Sequence, residues 1–430
     1  MQAVQTATHV VTESVPLNVI QKFRRVRWVH LLAIAAFCVF WMLIWRPPIG
    51  WKITSLYQLV FLTPLPYAVS SILGLLLPYR SDNLAPGQER AVRNFYICIV
   101  TKGTNKDRVR ETYQAMKHLE TDGVHLVVVS DRPLDIPHLL VPDSFKPKHA
   151  RYKARALEYF RLVTGFGEND WILHLDEESV IDRQSLQACL DFCRRSKHLM
   201  GQGTILYNNH NFWKYPVFTA ADCIRTGDDM GRFHLQYSLI RKPIFGVHGS
   251  FLLINGGLEN EVTWDLSYSI TEDYEFAIQC MKRGYGCGAI DGIVREQSPE
   301  SILDFLKQRR RWFVGIRGLA RESGWARLWT TLWSFAPFTQ LASVISILSG
   351  HPVPWWLLGP MMIVFSTYLY LYLLGAVVQD MDRGTPLPKA AGHVVMTFLL
   401  YPVSGLLEAS AVLWAMFSDE RRIGFQIVHK

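Results

Sequence analysis

The 430-residue chain contains no Cys-x-x-Cys pair and no Asn-x-Ser/Thr triplet. Its seven cysteines (Cys38, Cys98, Cys189, Cys193, Cys223, Cys280 and Cys287) are odd in number and scattered, which argues against a disulfide scaffold and against a zinc site. The missing glycosylation triplet points the same way, toward a domain kept reduced. No internal repeat and no low-complexity segment occurs. No basic stripe interleaved with aromatics runs through the middle of the chain, so the net charge of +8 is not the footprint of a nucleic-acid binder. Charge is sparse as well: it makes up 19% of residues and is missing altogether from several long windows.

Those windows are the first positive signal. Trp28 to Trp45 is uncharged, follows Lys22, Arg24, Arg25 and Arg27, and approaches the roughly 20 residues that cross a bilayer. Ile53 to Leu77 is a second uncharged window, interrupted only by Pro64, Pro66 and Gly74. A removable signal peptide has a shorter apolar core and no second span close behind it. Charges then persist from Arg80 to Arg327, a length typical of one globular domain. Beyond it, Leu328 to Leu348, Val353 to Val378 and Ala390 to Phe417 are again apolar, with Glu408 the one clear charged exception. The division expected is 1–79 for a tail and two transmembrane helices, 80–327 for the soluble body, and 328–430 for membrane elements and a basic tail. Basic residues favour the cytoplasmic side. Placing the N-terminal cluster, Lys307–Arg311 and Arg421-Arg422 on one side predicts four crossings, with the Pro337-bearing stretch 328–348 lying in the interface.

Within the soluble body, Asn94–Val100 and Val124–Val129 are apolar runs that read as strands buried on both faces. The first opens into the loop Thr101-Lys102-Gly103 and the second ends at Ser130-Asp131. Trp171–Leu175 is a third such run, ending at Asp176. Helices are predicted over 107–119 and over 151–163, the latter closing at Gly165. Strands alternating with helices predict an α/β fold with a parallel sheet, and ligands beyond the carboxyl ends of its strands.

Three acidic or basic motifs carry chemistry. Asp176-Glu177-Glu178 puts two carboxylates, Asp176 and Glu178, on one side of an extended chain. Such a pair suits a hard divalent cation shared with a diphosphate, although acidic turns are often only solvated. Thr271-Glu272-Asp273 opens an amphipathic helix whose buried face is Phe276, Ala277, Cys280 and Met281, with Gly284 as its stop. Thr271 is the expected N-cap, and the helix dipole explains one of the two acids. The other, beside exposed helix donors, is expected to stay ionised and to serve as a base. In Lys307-Gln308-Arg309-Arg310-Arg311-Trp312, residues Gln308, Arg311 and Trp312 share one helix face. An amide, a cation and an indole side by side suit a phosphate next to a sugar, whereas a basic run before a membrane segment is more commonly a headgroup anchor.

The order Asp131, Asp176-x-Glu178, Thr271-Glu272-Asp273, Gln308-x-x-Arg311-Trp312 resembles the membrane-integrated family-2 glycosyltransferases over most of residues 94–312. Trp171–Ser179, Phe245–Ser250 and Ile270–Phe276 resemble, within that family, the invertebrate β-1,4-mannosyltransferases of glycosphingolipid synthesis. The resemblance implies a GT-A-like, nucleotide-sugar-binding domain inserted between N- and C-terminal transmembrane helices. It implies that Asp131 contacts the nucleobase, that Thr101 and Lys153 border the nucleotide sugar, and that Asp176 and Glu178 hold a divalent metal, Mg or Mn, with the donor diphosphate. Asp273 is then the base, while Gln308, Arg311 and Trp312 border the diphosphate and acceptor. Many family members have Asp-x-Asp at the metal position, so Asp-x-Glu bears on which metal is used. The implied reaction is an inverting transfer of mannose from GDP-mannose to glucosylceramide or a similar lipid. The setting implied is a multi-pass protein of the endoplasmic reticulum or Golgi with a cytosolic catalytic domain and no nucleic-acid partner.

A processive polysaccharide synthase and a dolichyl-phosphate sugar transferase share these motifs, though the few spans argue against a polymer channel. A membrane scaffold or transporter would place ionisable groups within its spans, and here nearly all lie outside. Asn208, Asn209, His210, Asn211, Trp213 and His248 are candidate acceptor contacts, with His248 as readily a satisfied core histidine and Trp264 expected in the core.

Overall fold

The computed structural model describes residues 17–419 apart from Pro47, Thr54 and Tyr268; the basic pair Arg421-Arg422 lies outside the described residues. Eight strands form one sheet: β1 (Asn94–Thr101), β2 (Val124–Ser130), β3 (Leu139–Leu140), β4 (Asp170–Asp176), β5 (Val180–Ile181), β6 (Met200–Leu206), β7 (Leu252–Asn255) and β8 (Gly288–Arg295). Their order is β3-β2-β1-β4-β7-β6-β8-β5. β1 runs parallel to β2 and to β4, and β6 runs parallel to β8, but β7 is antiparallel to both neighbours and β5 is antiparallel to β8. The all-parallel sheet expected from the sequence is therefore corrected to a mixed one. The four-residue β7 inserts in the reverse sense between β4 and β6, because the chain returns to the sheet edge through a long helical excursion over 216–240.

Despite the reversal, β1, β2, β4, β6 and β8 all end at the same edge. Their long apolar runs explain the stability of this part. Phe95, Ile97 and Ile99 face one core with Trp171, Leu173 and Leu175 of β4, while Cys98 and Ile172 face the other. The helix Lys106–Met116 buries Val109, Tyr113 and Met116, one face at helical spacing. The helix Tyr152–Thr164 ends where Gly165 takes φ of +62°, the left-handed C-terminal stop.

Five stretches among the described residues are long and apolar enough to cross a membrane: Arg27–Trp45, Leu56–Leu76, Gly324–Ser349, Trp355–Asp382 and Leu387–Met416. The third is broken at Phe335, just before Pro337, into Gly324–Ser334 and Ala336–Ser349. Backbone approach joins these helices to the soluble body. The helix Pro216–Asp228 lies so close to Trp355–Asp382 that a Cβ on Gly375 would overlap the Cys223 carbonyl, and one on Gly227 would meet the Leu371 carbonyl. Small residues at such crossings let helices pack by dispersion where water supplies no driving force. Gly375→Ala is therefore expected to destabilise the protein by roughly 1–3 kcal/mol through overpacking. Gly359→Ala, on an open stretch of the same helix, serves as the control and should leave the thermal midpoint in detergent unchanged or slightly raised.

Candidate active site

All nine residues singled out by the motifs line one cavity of about 1010 Å³. Thr101 and Asp131 reach it from the ends of β1 and β2, Asp176 and Glu178 from the end of β4, Lys153 from the first turn of 152–164, Asp273 from the start of Glu272–Lys282, and Gln308, Arg311 and Trp312 from the helix Ile302–Gly318. Convergence from six chain segments follows from the shared sheet edge.

Lys153 is the electrostatic centre. Its Nζ lies 2.5 Å from Asp176 Oδ1 and donates to the Gly249 carbonyl at 3.1 Å. Although burial opposes the charged form, Asp176, Glu272 and Asp273 around the ammonium hold it protonated, well above the ordinary lysine range. A Cβ on Gly249 would fall 3.0 Å from Asp273 Oδ2 and 3.1 Å from Lys153 Nζ, so a side chain there would press on both groups. The preceding residue, Tyr152, takes φ of +52°, a strained setting for a bulky side chain. Strain of this kind persists where the surroundings over-determine it, and here it presents Lys153 to the acids.

Asp273 Oδ1 accepts the Tyr274 N–H at 2.8 Å, the helix donor the sequence pattern anticipated. Burial nevertheless pushes its carboxyl above the usual range, opposed by Lys153 and that N–H, while Asp176 adds to the rise. Glu272 goes further, up to about 7, through burial and then the neighbouring Asp273 charge. Burial thus works against the freely ionised acid expected from the sequence, at Asp273 as at Glu272. Thr271 occupies the N-cap position, but its hydroxyl does not cap the helix; it faces Ser269 Oγ at 3.3 Å.

The other predicted residues have distinct surroundings. Thr101 Oγ1 donates to Glu177 and accepts the Gly103 N–H, which ties the β1 loop to the acidic turn. Asp131 is held by Arg155 at 2.7 Å. Arg311 donates to the Ile270 carbonyl at 3.4 Å and lines the cavity. The Trp312 ring has the guanidinium of Arg225 at 3.9 Å and that of Arg309 at 4.4 Å from its centre. Its face is therefore a cation platform as much as a sugar platform. Among the described residues no three His, Cys, Asp or Glu side chains form a self-sufficient metal cage. Asp176 and Glu178, both facing the cavity, fit instead a hydrated hard cation completed by substrate phosphate oxygens.

Of the candidate acceptor contacts, only His248 lines the cavity, with its Nε2 2.7 Å from Asp229 Oδ1. Asn208 is spent on the Gln379 carbonyl and Asp382, Asn209 on the Glu178 carbonyl, and Trp213 stacks on His393. Trp264 is in the core, as expected. Arg225, Asp228 and Arg232 line the cavity without having been singled out. Their signal is in the sequence: charges at 222, 225, 228, 229 and 232 recur every three or four residues, one polar stripe on a helix.

Comparison with known proteins gives the family. Residues 171–378 match the model of the glycosyl transferase family group 2. The chain is 33% identical over 362 residues, 78% of each chain, to the β-1,4-mannosyltransferase bre-3 of Caenorhabditis elegans. It is 28% identical over 403 residues, 87% of each chain, to the β-1,4-mannosyltransferase egh of Drosophila melanogaster. Among solved structures, a mannosyltransferase from Pyrobaculum calidifontis in complex with GDP-Man and Mn²⁺ superposes with a TM-score of 0.46 and 12% identity, covering 84% of this chain and 99% of that one.

Proposed function

The chain belongs to the family-2 glycosyltransferases and is a hexosyltransferase, and we propose that it moves mannose from GDP-mannose, with inversion, to the 4-hydroxyl of a glucosylceramide-type lipid. One observation carries this reading. The cavity that holds Asp176, Lys153, Asp273 and Arg311 at one end continues without a break to Trp41, Trp45, Val344, Ile347 and Phe365, on helices apolar enough to lie in a bilayer. A lipid can thus keep its chains among the spans while its headgroup reaches the acids.

In the proposed reaction Asp273 accepts the proton of the acceptor hydroxyl as that oxygen bonds to the anomeric carbon. The bond from that carbon to the diphosphate breaks, and GDP leaves. Lys153 and Arg311 face the departing charge, and the burial of Lys153 makes its charge count for more. Asp176 and Glu178 would hold a divalent metal, which when bound supplies further neutralisation of the diphosphate. In this reading Asp131, held by Arg155, contacts the nucleobase, and Thr101 steadies the acidic turn through Glu177. Arg24, which flanks the first apolar helix, is 2.8 Å from Asp291 of the catalytic domain. The basic flank and the catalytic domain therefore share a side, and by the charge rule that side is cytosolic, consistent with an enzyme of the endoplasmic reticulum or Golgi membrane.

The test is to supply detergent-solubilised protein with a panel of sugar nucleotides and glucosylceramide and to read the product by mass spectrometry. A hexose-extended lipid only with GDP-mannose is the expected result; extension from a UDP-sugar, or none from any donor, overturns the reading. Removing divalent metal with a chelator is expected to lower transfer at least a hundredfold, with recovery on adding Mg²⁺ or Mn²⁺. Undiminished turnover after chelation would remove the metal from the proposal.

A further inference from the structure

The middle of the cavity holds a charge pair with no part in the chemistry above. Arg232 donates through Nε to Asp228 Oδ1 at 3.0 Å and through Nη2 to Oδ2 at 2.5 Å, one helical turn apart on the 216–240 excursion. Rings surround the guanidinium: Tyr67 at 5.0 Å, Phe233 at 4.9 Å, Phe245 at 5.1 Å and Trp329 at 5.7 Å from their centres. Tyr368 lies against Tyr67 with ring centres 4.8 Å apart. Tyr67 and Tyr368 belong to the apolar helices 56–76 and 355–382, and Asp228, Arg232, Phe245 and Trp329 line the same cavity. The pair therefore stands where the polar end gives way to the lobe between the spans.

Charges are costly in such a place unless paired and used. The Asp228 carboxylate spends one lone pair per oxygen on Arg232, and Arg232 spends two of its five N–H groups on Asp228. Acceptors and donors are left side by side within an aromatic ring, with no net charge. That chemistry matches a neutral sugar, whose hydroxyls both donate and accept and whose C–H faces pack on rings. It does not match a lipid phosphate, which Asp228 would repel and which finds its cations at Lys153 and Arg311 instead.

We propose that Asp228 and Arg232, framed by Tyr67, Phe245, Trp329 and Tyr368, form the subsite that recognises the neutral sugar headgroup of the lipid acceptor. This rests on the glycolipid acceptor proposed above and names the residues that select it. Steady-state kinetics of the protein in detergent, with GDP-mannose and either glucosylceramide or its 2-epimer mannosylceramide, which keeps the same 4-hydroxyl, test it. Asp228→Asn should raise the glucosylceramide KM about tenfold to a hundredfold, as expected for a lost hydrogen bond to a charged group. The preference for the glucosyl over the mannosyl lipid should shrink while the GDP-mannose KM stays within twofold. Tyr368→Phe, which removes one oxygen and keeps the ring, should raise the acceptor KM severalfold. If Asp228→Asn does not fold, Tyr368→Phe decides alone.

An unchanged acceptor KM and sugar preference, or a rise confined to the GDP-mannose KM, overturns the subsite. So does a gain in transfer to dolichyl phosphate when Asp228 is neutralised, because that outcome marks an anionic acceptor. Wild-type protein that extends neither glycolipid defeats the proposed acceptor itself. Active wild type with indifferent variants defeats only the subsite.

Discussion

Asp273→Asn is expected to lower mannosyl transfer by about a hundredfold to ten-thousandfold, the contribution of a positioned base, while GDP-mannose binding is retained. The substitution keeps the volume and can keep the Tyr274 N–H contact; what it loses is the ability to take a proton. Glu272 is beside it and buried; its carboxyl is pushed up by burial and then by the Asp273 charge, and only the effect of burial remains in the variant. The measurement is paired: transfer by mass spectrometry, and binding of GDP-mannose by titration calorimetry. Transfer within tenfold of wild type would remove Asp273 from the mechanism. Loss of donor binding together with transfer would move Asp273 to the Lys153 charge cluster, where it would act by holding the lysine and not the proton. The Asp273→Asn variant thus separates two roles that the geometry places within one small volume.

The acids of the site were legible in the sequence because each stands at a punctuated boundary. Asp131 and Asp176 end apolar runs that only a strand buried on both faces explains, and Asp273 opens a helix with a clear apolar face. The same runs gave β1, β2 and β4. The other half of the sheet was hidden by glycine. Gly201 and Gly203 in β6 and Gly288 and Gly292 in β8 interrupt the apolar pattern, and the structure shows their use: a Cβ at Gly201 or Gly288 would strike the Phe192 ring, and one at Gly203 or Gly292 the Phe251 ring. These strands give up side chains to seat two phenylalanines from elsewhere, so a pattern based on side chains misses them. The 216–240 excursion was hidden for a different reason. Its charged stripe has helical spacing, but the register shifts through π-helical turns at 229–233 and 236–240, and buried charge reads as surface until the spans that cover it are in place.

Arg309→Leu is expected to cost about 3–5 kcal/mol, the penalty for removing one member of a buried ion cluster. In the sequence Arg309 sits in a basic run that reads as a headgroup anchor, yet its side chain is only 1% exposed. It donates to Asp222 of the 216–228 helix, to Glu408 at 2.7 Å and to Gln308 at 2.5 Å. Glu408, the one acid in an otherwise apolar helix, thereby finds its partner. Without Arg309 the fully buried Asp222 loses its hydrogen-bonded cation and keeps only the more distant charge of Arg225, and three helices lose their common anchor. Because Gln308, Arg311 and Trp312 project from the same helix toward the cavity, the loss should reach activity as well as the thermal midpoint in detergent. The triple variant Asp222→Leu, Arg309→Leu, Glu408→Leu distinguishes charge from packing. If uncompensated charge is the cause, the triple variant recovers most of the lost stability, since well-packed apolar side chains can replace a buried cluster at little cost. A triple variant as unstable as the single one would assign the cost to the contacts Arg309 makes with the rings of Phe305 and Trp312, and a single variant as stable as wild type would deny the cluster any part in holding the catalytic domain against the spans.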